Sequence, residues 1–241
     1  MNPLLKRAIL LFLAAFAVAQ PLPWIELEAQ ISPKRAPWEH FTKPQPTGSV
    51  RIYNFDSKFR FGKIAIDGQI DRAVALRALE LIRIFRPHYD VFSVVLNSPG
   101  GDVMAAIDIG EEIRKQWVWT EMDDDGQCLS ACVLILAAGA QRIPAPNRVG
   151  IHRPYFDPEL FANLPPNDAR EKYDTLAKVV QQYLLRMGMP DELFREMMRQ
   201  ASSDMLILNA QRLAALGLLG TDPAYEEWMR ARNNRRVPQA K

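Results

Sequence analysis

The sequence predicts an α/β fold: a parallel sheet with helices on it and a helical C-terminal extension. Three observations carry this expectation. Strand-like runs alternate with segments of helical periodicity between residues 50 and 152. Residues 91–96 (VFSVVL) are largely apolar and β-branched, as a buried parallel strand should be. Beyond Asp168 the pattern turns helical, with Tyr173, Leu176, Val179, Val180, Tyr183 and Leu184 on one stripe. Alternation of strands and helices gives a parallel sheet joined by right-handed crossovers.

The elements follow in order. Residues 50–55 alternate as a strand, and 63–67 (KIAID) form a second that ends at Gly68. Asp71 stands where a helix N-cap belongs, ahead of Ala73, Leu76, Leu79, Ile82 and Phe85 at helical spacing. Pro87 ends that helix. After the strand at 91–96 comes the turn Ser98-Pro99-Gly100-Gly101. The next helix starts at Asp102, and 118–122 is a short strand. Residues 123–129 are a connection rich in Asp. Residues 131–138 form a buried helix without breakers, and 148–152 are strand-like. A helix through Met198 opens at Pro190 and Asp191. A last short one covers 209–216, with Gly217 as its C-cap.

The 241 residues suit one α/β domain with appendages. Hydrophobic residues make up 48% and charged residues 24%, enough for a sizeable core. Formal net charge is +2, and removing the leader cations Lys6 and Arg7 brings it near zero. That excludes a global basic footprint for nucleic acid. Lys6 and Arg7 precede the apolar run 8–19, and Ala17-Val18-Ala19 supplies small residues for cleavage before Gln20. This is the pattern of a secretory signal peptide over 1–19, and it implies a bacterial periplasmic or secreted protein. The run is shorter than the ~20 residues of a spanning helix. An uncleaved anchor is the alternative, and no stable span is expected once the leader is removed. Residues 20–48 carry Pro21, Pro23, Pro33, Pro37, Pro44 and Pro46 and read as a linker, with Trp24 and Trp38 as pinning points. The expected domain covers 49–225. Residues 226–241, with Arg230, Arg232, Arg235, Arg236 and Lys241, read as a solvated and partly frayed basic tail.

Three segments carry chemistry. The first is the Ser98–Gly101 turn, whose paired glycines let backbone amides approach a ligand. The second is Gly126-Gln127-Cys128-Leu129-Ser130-Ala131-Cys132, which places a serine hydroxyl at the start of a buried helix. The amide of Ala131 then joins that of Gly101 as an oxyanion hole. The third is Gly150-Ile151-His152-Arg153-Pro154. A serine needs a base to become a nucleophile, and histidine titrates in the right range. Of the three histidines, His40 lies in the linker and His88 in a polar turn, whereas His152 ends an apolar strand. Taken singly, each segment also has a plain reading: a strand-to-helix turn, an N-cap serine, a core histidine.

Taken together, the three resemble the proteolytic subunit of the Clp protease (ClpP). In that family an SPGG turn, a G-x-x-x-S segment opening an apolar helix that ends in A-G-A, and an I-H-x-P segment follow in this order. Here they are Ser98–Gly101, Gly126–Ser130 with Ala138-Gly139-Ala140, and Ile151–Pro154. The resemblance spans about Lys63 to Gly220. It implies a ClpP/crotonase-like spiral of β-β-α units with a C-terminal helical extension. It also implies a serine-type peptidase with Ser130 as nucleophile, His152 as base, and Gly101 and Ala131 as oxyanion donors. Asp204 is the candidate third member, one residue earlier than the family spacing, an offset that a β-bulge would absorb. A peptide or protein substrate, a homo-oligomer and no cofactor follow from the same resemblance. The nearer resemblance is to exported ClpP-like proteins of unknown substrate. Residues 157–168, with Pro158, Pro165 and Pro166, depart from the family's glycine-bearing substrate strand.

Cys128 and Cys132 flank Ser130, and four residues apart near a helix start their Cα atoms lie about 6 Å apart, within disulfide range. They are either bridged, which export favours, or two small buried thiols. No further Cys or nearby His completes a metal site. Two other functions compete. A crotonase-type acyl-CoA enzyme shares the fold but needs no Ser–His pair, and CoA is cytoplasmic. A non-catalytic ClpP-like module would keep the fold for peptide binding or assembly. A Ser–Lys peptidase is a further alternative, but the nucleophile segment has no nearby lysine.

Overall fold

The structure is a computed structural model that describes residues 47–56, 60–123, 125–155 and 165–236. The leader, most of the 20–48 linker, and residues 156–164 of the proline-bearing segment lie outside the described residues.

Among the described residues, nine strands build two sheets. The larger takes β1 (Ser49–Asp56), β2 (Phe61–Asp67), β3 (Val91–Asn97), β4 (Trp119–Met122), β6 (Gln141–Ile143) and β9 (Gly220–Thr221), in that spatial order. Its interior pairs β2–β3, β3–β4 and β4–β6 are parallel. Its edge pairs β1–β2 and β6–β9 are antiparallel, so the expected parallel sheet carries an antiparallel strand at each edge. The smaller sheet joins β5 (Cys128–Leu129), β7 (Val149–Ile151) and β8 (Leu206–Leu208).

Each central strand passes into a short extended piece and then a helix. After β2, Ile70 bridges Gly101; after β3, Ser98 bridges Cys128; after β4 comes β5 itself. The helices that follow are α1 (Arg72–Phe85), α2 (Val103–Lys115) and α3 (Cys132–Ala137). This is the expected spiral of β-β-α units. Aspartates start the first two helices: Asp71 accepts from Val74 N at 2.8 Å and Asp102 from Ala105 N at 2.7 Å. Pro87 lies in a single 3₁₀ turn, Arg86–His88, where α1 stops.

Side-chain alternation along β2 and β3 decides which face is core. Ile64, Ile66, Phe92, Val94 and Leu96 point under the helices and are buried. The other face is mixed: Ala65 and Val95 are buried on it, Lys63 Nζ lies 2.8 Å from Glu121, and the buried Ser93 hydroxyl donates to the same carboxylate. Strand β3 is therefore not apolar on both faces.

Helix α3 is buried along its whole length, so its C-terminal carbonyls need protein partners. Tyr183 Oη donates to Leu134 O (2.8 Å), Thr120 Oγ1 to Leu136 O (2.9 Å) and Arg142 Nη1 to Ala137 O (3.0 Å). Tyr183 comes from α4 (Pro166–Arg186), and its hydroxyl occupies the space a Cβ on Gly110 would need, 1.7 Å away. The α4 stripe is thus a core face: Leu176, Val180, Tyr183 and Leu184 are all buried, as is Met197 on α5 (Asp191–Arg199).

The short helix α6 (Ala210–Ala215) starts at Asn209, which caps Arg212 N, and closes at Gly217 with φ +76°. Residues of the expected basic tail are helical as far as Arg236, in α7 (Pro223–Arg236). Asp222 caps it through Ala224 N (2.9 Å), and Pro223 occupies the first helical position. Spaced three apart, Tyr225 and Trp228 stack on each other and pack at a tilt against Trp117, with ring centroids 5.6–6.0 Å apart. The buried Asp222 carboxylate also takes Arg114 at 2.6 Å. Burial raises its pKa, but the hydrogen bond and charge of Arg114 outweigh that and hold it below the ordinary value.

Candidate active site

The site is assembled where three short extended segments lie side by side. Asn97, at the end of β3, hydrogen-bonds Asp67 and accepts from Gln127 N, both at 3.2 Å. Beyond it, Ser98 N donates to Gln127 O (2.7 Å) and Leu129 N to Ser98 O (3.0 Å). The buried Ser98 hydroxyl accepts from Gly100 N at 3.0 Å and fixes the turn.

Both glycines of the turn are required. Gly100 has φ +104°, and a Cβ there would stand 2.7 Å from Ser130 Cβ and 2.8 Å from Leu129 O. Gly101 has φ +143°, and its Cβ would stand 2.1 Å from Ile70 O. Ile70 N donates to Gly100 O, and Asp102 N donates to Ile70 O, each at 2.8 Å. Amides of a strand alternate in direction, so the Gly101 N–H points away from Ile70, to the side that carries Cys128 and Ser130. Ala131 N lies 3.1 Å from the position of a Gly100 Cβ, on that same side. Among the described residues, neither Gly101 N nor Ala131 N donates a backbone hydrogen bond outside the regular elements.

Ser130 sits between β5 and α3 with φ +56°, a left-handed conformation that a non-glycine residue seldom takes. Its N–H donates to Gly150 O at 2.9 Å, tying it to β7. Cys128 and Cys132 are joined by a disulfide across it, with Cα atoms 5.2 Å apart, and both are fully buried.

His152 follows β7, which runs parallel to β5 with Leu129 opposite Gly150. Ser130 and His152 therefore leave neighbouring strands at the same end. His152 is 2% exposed, and burial pushes its pKa below the ordinary value, against the opposing effect of its bond to Arg153. Its Nδ1 lies 2.8 Å from Arg153 O. A carbonyl only accepts, so Nδ1 carries the proton and Nε2 the lone pair, the tautomer a general base needs.

A sequence profile of the Clp protease family matches residues 48–219. The chain belongs to the Clp protease family. Membership makes it a relative of serine peptidases, and the matched stretch contains the whole of the site just described.

Within this Clp protease domain, Asp204 is not brought to His152. It is exposed and accepts from Ser203 Oγ at 3.3 Å. The antiparallel register of β7 and β8 runs unbroken, with Gly150 opposite Ile207 and Ile151 opposite Leu206. No bulge interrupts these pairs, and continuation of the same register would set Met205 opposite His152. Met205 Sδ would lie 2.6 Å from a Cβ on Gly150, two residues before His152. A single-residue shift turns a side chain to the other face of a sheet, so on that continuation Asp204 would face away from His152. Arg153, through its main-chain carbonyl, is the contact that sequence reasoning missed, because a backbone acceptor leaves no residue-type signal. Among the described residues no group of three or more His, Cys, Asp or Glu side chains is placed to hold a metal. No helix among them is long and apolar enough to cross a membrane.

Proposed function

We propose that the chain is an exported serine peptidase that cleaves peptide bonds through an acyl-Ser130 intermediate. One observation carries this reading: Ser130 is held in a left-handed conformation directly on Gly100, with the Gly101 and Ala131 amides on one side and the His152 strand on the other. A strained serine at a strand-to-helix turn is how a hydroxyl is presented to substrate. Ser130 Oγ attacks the scissile carbonyl while His152 Nε2 takes its proton. The Gly101 and Ala131 amides stabilise the tetrahedral oxyanion. His152 then protonates the leaving amine, and water hydrolyses the ester by the reverse sequence.

Export rests on the Lys6-Arg7 and Ala17–Ala19 pattern, and the Cys128–Cys132 bridge supports it, since such bonds persist in oxidising compartments. The substrate is a peptide or protein, and the working form is a homo-oligomer on family grounds. Leu76, Ile84, Met104 and Leu185, each about half exposed, supply apolar surface outside the core. A crotonase-type acyl-CoA role is disfavoured, because it needs neither Ser130 nor His152. The exposed Asp204 favours a second reading, a non-catalytic module that binds peptide. Incubation of the purified chain with a fluorophosphonate probe separates the two. Covalent label on Ser130, absent in Ser130→Ala, is the expected result, and no label, or label at another residue, overturns the peptidase reading.

A further inference from the structure

Three side chains on three neighbouring strands form a row that ends at the segment carrying Ser130. Arg51 on β1 grips Asp67 on β2: its Nη2 and Nε lie 2.7 and 3.0 Å from the same carboxylate oxygen, Oδ2. The two side chains are only 22% and 18% exposed, so water and salt screen this pair weakly. The other oxygen of Asp67, Oδ1, accepts from Asn97 Nδ2 at 3.2 Å, and the two residues stand directly opposite in the parallel register of β2 and β3. Asn97 Oδ1 in turn accepts from Gln127 N at 3.2 Å. A side-chain amide serves both neighbours at once, because it donates toward the carboxylate and accepts from the main-chain N–H. Asn97 also stands at a junction. Strand β3 pairs with β4 as far as Leu96 and Met122, and from Ser98 onward its neighbour is the segment 127–129. The Asn97 side chain supplies the bond across that change of partner.

We propose that Asn97 is a positioning residue that sets the spacing between the glycine turn and the nucleophile segment, and that Asp67, gripped by Arg51, fixes the Asn97 amide in that role. The proposal deepens the serine-peptidase reading and rests on it. The turn after Asn97 presents Gly101 N, and the segment after Gln127 presents Ser130 and Ala131 N. Both amides must reach one oxyanion, each within about 3 Å of it. They come from different segments, so the separation of the segments decides whether both reach. Asn97 ties the two at their common base, next to the main-chain bonds Ser98 N to Gln127 O and Leu129 N to Ser98 O. A displacement there passes directly to the hole, and a misplacement of about 1 Å costs on the order of a hundredfold in rate.

Saturation kinetics of fluorophosphonate labelling at Ser130, on the full chain, separate probe binding (KI) from reaction (kinact). Asn97→Leu removes both bonds at similar size. It should lower kinact about ten- to a hundredfold, with KI changed by less than about twofold. Asn97→Asp still accepts from Gln127 N but opposes the Asp67 carboxylate, and it should be as slow. Adding Asp67→Asn to Asn97→Asp exchanges the two partners. The amide then donates from β2, the carboxylate on β3 accepts from it and from Gln127 N, and net charge returns to the wild-type value. This exchanged pair should recover kinact to within about threefold of the wild type. Hydrogen exchange at the Gln127 amide is the second readout. It should be faster by about tenfold or more in Asn97→Leu and slow again in the exchanged pair. Wild-type kinact in Asn97→Leu, or an exchanged pair as slow as Asn97→Asp alone, overturns the proposal. Where Asn97→Leu does not fold, Asn97→Asp and the exchanged pair decide in the same way. Absence of wild-type label at Ser130 is a different result and removes the peptidase reading, whereas unchanged Gln127 exchange in Asn97→Leu overturns the clamp even if Ser130 reacts.

Discussion

Gly100 and Ser130 are in such close contact that no side chain fits between them: a Cβ on Gly100 would lie 2.7 Å from Ser130 Cβ. The turn that ends β3 is therefore the seat of the serine, and its φ of +104° adds a second requirement for glycine. Gly100→Ala must both strain the backbone and push Ser130 away from the Gly101 amide. We expect a loss of roughly 1–3 kcal/mol in stability and a fall of about a hundredfold or more in Ser130 labelling. Thermal unfolding and labelling rates on the same sample check both, and an alanine variant with wild-type reactivity would show that the contact does not govern the nucleophile.

Burial of His152 predicts a particular pH dependence. Its pKa is held below the ordinary value, so the neutral base persists into mildly acid solution. The acid limb of the labelling rate should lie below the pH of about 6.5 where a free histidine titrates. Stability follows the same linkage. Above about pH 6.5 both folded and unfolded His152 are neutral, and its contribution is fully present. As pH falls from there through the lowered folded pKa, the unfolded chain takes up the proton first and stability is lost. His152→Gln should flatten this part of the stability profile. A wild-type acid limb at or above pH 6.5 contradicts the burial argument.

Much of the domain was legible because its signals are local. Asp71 and Asp102 announce helix starts, Gly217 announces a stop, and the apolar residues of β2 and β3 mark the sheet. Strands β5, β6, β8 and β9 were not foreseen, since each has only two or three residues and shows no period of its own. Helix α7 was missed because its sequence is polar and arginine-rich, and it is secured by Asp222 and by the ring stack on Trp117, contacts from elsewhere in the chain. In the candidate site, order and spacing singled out Ser130, His152 and the two glycines as candidates. Asp204 was placed by spacing alone, and the register of β7 with β8, a long-range property, decides where it points.

The disulfide between Cys128 and Cys132 closes a very short loop, so its entropic stabilisation is small, on the order of 2 kcal/mol. Its larger effect should be on the turn it spans, because Ser130 lies midway between the cysteines in a left-handed conformation. The double variant Cys128→Ala, Cys132→Ala should melt only slightly earlier yet label at Ser130 markedly more slowly. Mass spectrometry without reductant should find the peptide carrying both cysteines two protons lighter than its reduced form. Free thiols in protein taken from an oxidising compartment would make the pair packing residues only.

On the export proposal, the Lys6-Arg7 pair, the apolar run 8–19 and Ala17-Val18-Ala19 would direct cleavage before Gln20. Export would in turn supply the oxidising surroundings in which a buried disulfide beside Ser130 persists. Protein recovered from its native host should therefore begin at or close to Gln20, in the fraction outside the cytoplasm. Expression without residues 1–19 should retain the chain in a reducing compartment. There it should accumulate with Cys128 and Cys132 as thiols and show the slow labelling of the double alanine variant, restored by oxidation after purification. Intact Met1 on a soluble cytoplasmic protein with full reactivity would refute export, and it would separate Ser130's activity from the state of the bridge.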